Sequence, residues 1–119
     1  MNSEIRTTAR FRKEAKRLSK KYPSLNNDLI GLMDELAKNP RSGTPLGKNF
    51  YKLRLKITSK GKGKSGGARV ITQVDIAFIK EKVSSLVIYL ATLFDKSEMD
   101  SISENELKIL LKEIQQEFK

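Results

Sequence analysis

Hydrophobic residues recur along this chain with two different periods, and the change between them divides it. From Ala9 to Lys21 the apolar positions Phe11, Ala15 and Leu18, continued by Tyr22, return at helical spacing. Arg10, Arg12, Lys13, Lys16, Arg17, Lys20 and Lys21 fill the positions between them. Tyr22-Pro23-Ser24 ends this helix, because proline disfavours the helical conformation in the residue before it. Leu25, Leu29, Leu32, Met33 and Leu36 then form a second helical stripe, stopped by Asn39-Pro40. Two helices joined so tightly predict an αα-hairpin. Arg41 to Lys48, with two glycines and a proline, reads as loop.

Beyond it the period falls to two. In Tyr51-Lys52-Leu53-Arg54-Leu55-Lys56-Ile57 every second residue is apolar and every other one is a cation. Tyr51, Leu53, Leu55 and Ile57 must face the helices, and Lys52, Arg54 and Lys56 the opposite side. Thr58 to Gly67 reads as a loop, and a second strand runs from Ala68 to about Phe78. Lys80-Glu81-Lys82 is the expected reversal. Val83 to Phe94 is almost continuously apolar, as in a central strand covered on both faces. Ser103 and Glu106 have the spacing of a capping box, ahead of a stripe of Leu107, Leu110, Leu111, Ile114 and Phe118. Residues 2–8, weakly patterned, are a candidate first strand. The order (β)ααβββα predicts one α+β domain over residues 1–119, with the αα-hairpin and C-terminal helix packed on an antiparallel sheet.

Composition sharpens this. The 119 residues suffice for a single core. Lys and Arg total 24 against 14 Asp and Glu, a net charge of +10. The surplus is local: residues 1–72 hold 18 Lys/Arg and 5 Asp/Glu, net +13, whereas residues 73–119 hold 6 and 9, net −3. A basic surplus confined to one stretch predicts a side that faces a polyanion. There is no histidine and no cysteine, so a Cys/His zinc site, a Ser-His-Asp triad, a thiol nucleophile and a disulfide framework are all excluded. No cofactor or metal is expected. The longest apolar run, Leu86 to Phe94, is well short of the ~20 residues of a helical membrane span. Met1 to Arg10 lacks the apolar core of a secretory signal, so a cytoplasmic protein without membrane contact is expected.

Gly63-Lys64-Ser65 resembles the end of a phosphate-binding P-loop, but Thr58 stands where that motif needs its first glycine. With a strand expected next instead of a helix, nucleotide hydrolysis is rejected. The lysines of this loop, Lys60, Lys62 and Lys64, are spaced by small residues that let a backbone approach a phosphate. A plain flexible hairpin connection stays open as the alternative. In an antiparallel pair, Lys52, Arg54 and Lys56 can lie beside Arg69, so the cations from Lys52 to Arg69 are expected to line one concavity. Asp95 and Glu98, after the central strand, are candidates to orient Lys96 or Arg69. Tyr51 and Tyr89 fall at core-like strand positions.

Several of these blocks together resemble the RelE superfamily of bacterial type II toxins, most closely its HigB branch. They are Tyr51-Lys52-Leu53-Arg54-Leu55, the run Ser59 to Lys64, Gly66-Gly67 with Arg69, and Val87 to Phe94 leading into Asp95-Lys96-Ser97-Glu98-Met99. The similarity spans nearly the whole chain. It implies a RelE-like small α+β domain and a ribosome-dependent mRNA endoribonuclease that inhibits translation without a metal. It also implies a cognate antitoxin, in the HigB branch typically a helix-turn-helix protein. By position it carries catalytic function onto Lys52, Arg54, Arg69 and Lys96. Two positions depart: Ser97 stands where RelE has an arginine, and no tyrosine follows Tyr89.

Such chemistry needs no histidine. The 2′-hydroxyl of RNA attacks its own 3′-phosphate, and the protein aligns the nucleotide and stabilises charge on the phosphoryl oxygens. Lys52 is the expected general base, with Arg54 and Arg69 gripping the phosphate. Lys56, Lys60, Lys62 and Lys64 are expected to bind the RNA, and Lys13, Lys16 and Lys20 of the first helix to dock on ribosomal RNA. The rival readings are a ParE-like inhibitor of DNA gyrase without nuclease activity and a non-catalytic RNA-binding module.

Overall fold

The structure, a computed structural model, describes residues 2–61, 63–79 and 82–119. Strand β1 (Asn2–Thr7) leads into helices α1 (Ala9–Lys21) and α2 (Leu25–Lys38). Strands β2 (Thr44–Gly47) and β3 (Phe50–Leu55) follow. A 3₁₀ turn (Thr58–Lys60) and a one-turn helix α3 (Gly63–Gly66) come next. Strands β4 (Ala68–Ile79) and β5 (Lys82–Asp95) and helix α4 (Glu104–Phe118) complete the described chain. The protein is α+β, with three long helices on a five-stranded sheet ordered β1-β5-β4-β3-β2. No described helix is long and apolar enough to cross a membrane.

The helices divide between the two sheet faces as their stripes require. Phe11 and Leu18 of α1 and Leu25, Leu29, Leu32 and Leu36 of α2 are buried with Leu53, Leu55, Ile57, Val70, Ile88, Leu90 and Leu93 of the sheet. On the other face Leu107, Leu110 and Ile114 of α4 are buried with Phe50, Ile71, Tyr89, Ala91 and Phe94. Burying each such leucine contributes about 1.5–3 kcal/mol relative to exposure. The interior strand β5 supplies both cores, which is why its stretch from Leu86 to Phe94 is almost wholly apolar. The capping box is formed: Ser103 Oγ accepts from Glu106 N at 3.2 Å, and Ser103 N donates to Glu106 Oε1 at 3.2 Å.

Three expectations are corrected. The sheet is mixed, since β1 runs parallel to β5, Asn2 opposite Ser85 and Thr7 opposite Leu90. Thr8 fixes this junction: its hydroxyl accepts from Phe11 N at 3.1 Å as the cap of α1 and donates to Ala91 O at 2.9 Å. The segment Arg41 to Lys48 is not all loop, because Thr44–Gly47 forms edge strand β2 on β3. Lys48 and Asn49 turn this hairpin with φ of 54° and 64°, the positive pair that a tight two-residue connection requires. Nor is Thr58 to Gly67 plain loop, as it contains the 3₁₀ turn and α3. The expected reversal at Lys80 and Glu81 lies outside the described residues.

Candidate functional site

The antiparallel register of β3 and β4 sets Arg54 opposite Arg69 and Lys52 opposite Ile71. Lys52 and Arg54 therefore share the sheet face of Phe50, the face that α4 covers only in part. Arg54 is exposed and Lys52 half-buried, but Arg69 is only 2% exposed. Two cations directly opposite each other repel, and a buried guanidinium demands a partner. Asp100 supplies it. Arg69 Nη2 lies 3.2 Å from Asp100 Oδ1, and Arg69 Nη1 donates to Ala68 O at 3.1 Å. Lys52 Nζ donates to the backbone carbonyl of the same Asp100 at 3.4 Å. Two candidate catalytic cations thus converge on one residue that the sequence reading did not single out.

Asp100 is held there by the segment between β5 and α4. At its start, Glu98 N and Met99 N donate to Asp95 O at 2.9 and 3.1 Å. At its end, Met99 and Ile102 pack against the α4 core and Ser103 caps the helix. Between these anchors the Asp100 side chain is 65% exposed.

Asp95 forms a second ionic centre, fully buried. Its carboxylate accepts from Tyr22 Oη at 2.5 Å, Lys60 Nζ at 2.7 Å and Ser97 N at 3.0 Å. Burial opposes its ionisation, yet the bonds from Lys60, Tyr22 and Ser97 prevail and hold it far below the usual carboxylate range. The hydrogen bond to Asp95 in turn raises the Lys60 ammonium. Lys60, expected to face RNA, instead turns inward and is 13% exposed. It ties the glycine-lysine segment to the end of β5. The expected pairing of Asp95 and Glu98 with Lys96 or Arg69 is also revised. Asp95 holds Lys60 and Tyr22, and Glu98 Oε1 pairs with Arg17 Nη2 at 2.8 Å.

Gly67 explains the double glycine before Arg69. A Cβ there would lie 2.0 Å from Leu55 O, so any side chain would force β3 and β4 apart. Its carbonyl accepts from Lys96 N at 3.1 Å, which sets Lys96 at the same end of the sheet with an exposed side chain. Lys56 is exposed just past β3, where its charge acts on Asp28. Lys62 lies outside the described residues, as does the side chain of Lys64. The single expected concavity from Lys52 to Arg69 is therefore divided. Lys52, Arg54 and Arg69 share one face, and Lys60 is committed elsewhere.

The cations of α1 divide largely by residue type, Lys21 being the exception, with its Nζ 3.9 Å from Asp95 Oδ2. Arg10 pairs with Glu113 at 2.7 Å, Arg12 with Glu117 at 3.0 Å and Arg17 with Glu14 at 2.8 Å. These arginines bind α1 to α4 and to the segment after β5. Lys13, Lys16 and Lys20 are exposed and form no ion pair among the described residues. A groove of about 410 Å³ between α1 and α4, floored by Phe94, Met99, Ile102 and Leu110, includes none of the sheet cations.

The Asp100 carboxylate oxygen on the Arg69 guanidinium is the kind of contact by which a guanidinium grips a phosphoryl oxygen. Among the described residues no three acidic side chains gather as metal ligands. A scan against known protein families finds none that matches the chain.

Proposed function

We propose that this protein is the toxin of a type II toxin-antitoxin system, a RelE-like endoribonuclease that cuts messenger RNA on the ribosome. One observation carries the reading: Lys52 and Arg69, from neighbouring strands, converge on one residue, Lys52 on the backbone carbonyl of Asp100 and Arg69 on its carboxylate, with Arg54 across the register from Arg69. The α+β order, with a helical hairpin on one sheet face and a C-terminal helix on the other, supports it.

In this reaction the 2′-oxygen bonds to phosphorus as the P–O5′ bond breaks, leaving a 2′,3′-cyclic phosphate and, once the leaving oxygen takes a proton from water, a 5′-hydroxyl. Lys52 is the group that takes the 2′-hydroxyl proton. Arg69 and Arg54 hold the phosphoryl oxygens as charge builds on them, and they stay charged throughout. Lys96 completes the catalytic set on the segment after β5. Lys13, Lys16 and Lys20 form the ribosome-docking side, and a separate antitoxin, expected to be a helix-turn-helix protein, keeps the toxin silent.

The test is to incubate purified protein with translating ribosomes and map the 5′ ends of the message. New ends aligned with codons support the nuclease. Intact message together with inhibited DNA supercoiling would instead make the chain a gyrase inhibitor, and intact message with plain RNA affinity a binding module.

A further inference from the structure

The Asp100 carboxylate occupies the position on Arg69 that an RNA phosphate would need, and it belongs to the protein itself. We infer that Asp100 is a built-in competitor, an acidic plug that neutralises the empty site and must be displaced before a polyanion binds. The inference rests on the proposed function for the identity of the ligand, but not for the behaviour of the site.

Three observations carry it. First, the burial is lopsided: the Arg69 side chain is 3% exposed and the Asp100 side chain 65%. Arg69 is fixed in the sheet and cannot turn to water, whereas the carboxylate can leave by side-chain rotation and be rehydrated at once. The exchangeable partner is therefore the aspartate. Second, Lys52 is held by the backbone carbonyl of Asp100, not by its carboxylate. Release of the carboxylate therefore opens Arg69 while Lys52 stays beside it on the anchored backbone. Third, the flanking residues are anchored. The turn at Ser97 to Met99 is bonded to Asp95, and Ile102 is packed against the α4 core. The plug returns to the same place after each release.

The chemistry then selects the ligand. A carboxylate and a phosphate repel, so the two cannot share Arg69, and an incoming anion must replace an ion pair already made. A lone phosphate exchanges one anion for another with little gain. A phosphodiester chain that also reaches Arg54 and Lys52 gains contacts that Asp100 does not provide. The plug therefore favours polyanions over small anions, and removing its charge relaxes the threshold.

The test is direct binding of a short, uncleavable 2′-deoxy oligonucleotide, read by fluorescence anisotropy at fixed salt. Asp100→Asn should bind about three- to tenfold more tightly than the parent, the scale of one released ion pair. Glu104→Gln removes the same charge from the exposed first turn of α4 and should change affinity by less than about twofold. The gain from Asp100→Asn should vanish in an Arg69→Met background, chosen because it keeps a long stem at this buried position and removes the charge that Asp100 covers. The inference is overturned if Asp100→Asn binds no tighter than Glu104→Gln, if it binds more weakly, or if the gain persists without Arg69. Tighter binding by Asp100→Asn without any cleavage of ribosome-bound message would uphold the plug and refute the nuclease. Cleavage with no tightening would do the reverse.

Discussion

At Asp95 the buried member of the ion pair is the anion; at Asp100 the buried member is the cation. The two aspartates flank one short turn after β5, and their surroundings differ in every respect that matters for exchange. Asp95 is fully enclosed and takes hydrogen bonds from Tyr22, Lys60 and Ser97, so it joins the end of α1, the 3₁₀ turn and the start of the crossing segment. Asp100 faces water and reaches inward to a single buried guanidinium. A charge enclosed with several partners is a structural joint, because removing any partner leaves a buried charge exposed to nothing. A buried cation with a solvent-facing partner is a socket. The same residue type, a few positions apart, thus serves rigidity in one place and exchange in the other.

The largest effect is expected at Asp95. Asp95→Ala leaves Lys60 and Tyr22 without their acceptor and should cost about 3–5 kcal/mol, read from the urea midpoint. A loss under about 1 kcal/mol would mean that the joint is no joint. Next comes Arg69→Ala, expected to slow cleavage about a hundredfold, roughly 3 kcal/mol of transition-state stabilisation. A folded Arg69→Ala protein that cuts message at the parental rate would place the reaction elsewhere.

The pH dependence sharpens the contrast. The Asp95 carboxyl lies lower in the folded chain than in the unfolded one, as do Asp28, Glu98 and Glu113. Such groups add stability that is complete above the unfolded value of about 4 and is lost as pH falls toward the folded one. Thermal midpoints should therefore drop on acidification below about pH 4, and Asp95→Asn should flatten the drop. An equally steep drop in that variant would assign the acid sensitivity to the surface pairs. The smallest effect is expected far from both aspartates. Reversing Lys13, Lys16 and Lys20 together should leave stability within about 0.5 kcal/mol and make the salt dependence of ribosome binding shallower by about 2 in log–log slope. An unchanged slope would remove α1 from the ribosome contact.

What the sequence made legible follows from how far each signal reaches. The bounds of α1, the capping box of α4 and the inward side of β3 rest on near neighbours, and periodicity registers those directly. Strand β2 is short and exposed, with no apolar face to register, so only its pairing to β3 defines it. The direction of β1 is likewise a property of its partner: alternation marks a strand but not whether its neighbour runs with it or against it. At the candidate site the cationic face of Lys52 and Arg54 was readable for the same local reason. Asp100 was not, because its partners lie on two other strands and nothing in its spacing marks it. Lys56 and Lys60 looked alike as members of one basic run. Only the fold shows that Lys60 turns back to a buried carboxylate.

The parallel pairing of β1 with β5 has a consequence for the order of assembly. Synthesis delivers β1 first, yet its neighbour, and the carbonyl of Ala91 that receives Thr8, arrive only after both hairpin helices and three further strands. Until then α1 and α2 carry their leucine stripes without the β5 residues Ile88, Leu90 and Leu93 that share their core. Closing so long a loop is slow, and a chain that waits with an apolar face uncovered is prone to associate with its neighbours. The nascent hairpin is therefore the stretch most exposed to association, and the arrival of β5 is the event that covers it.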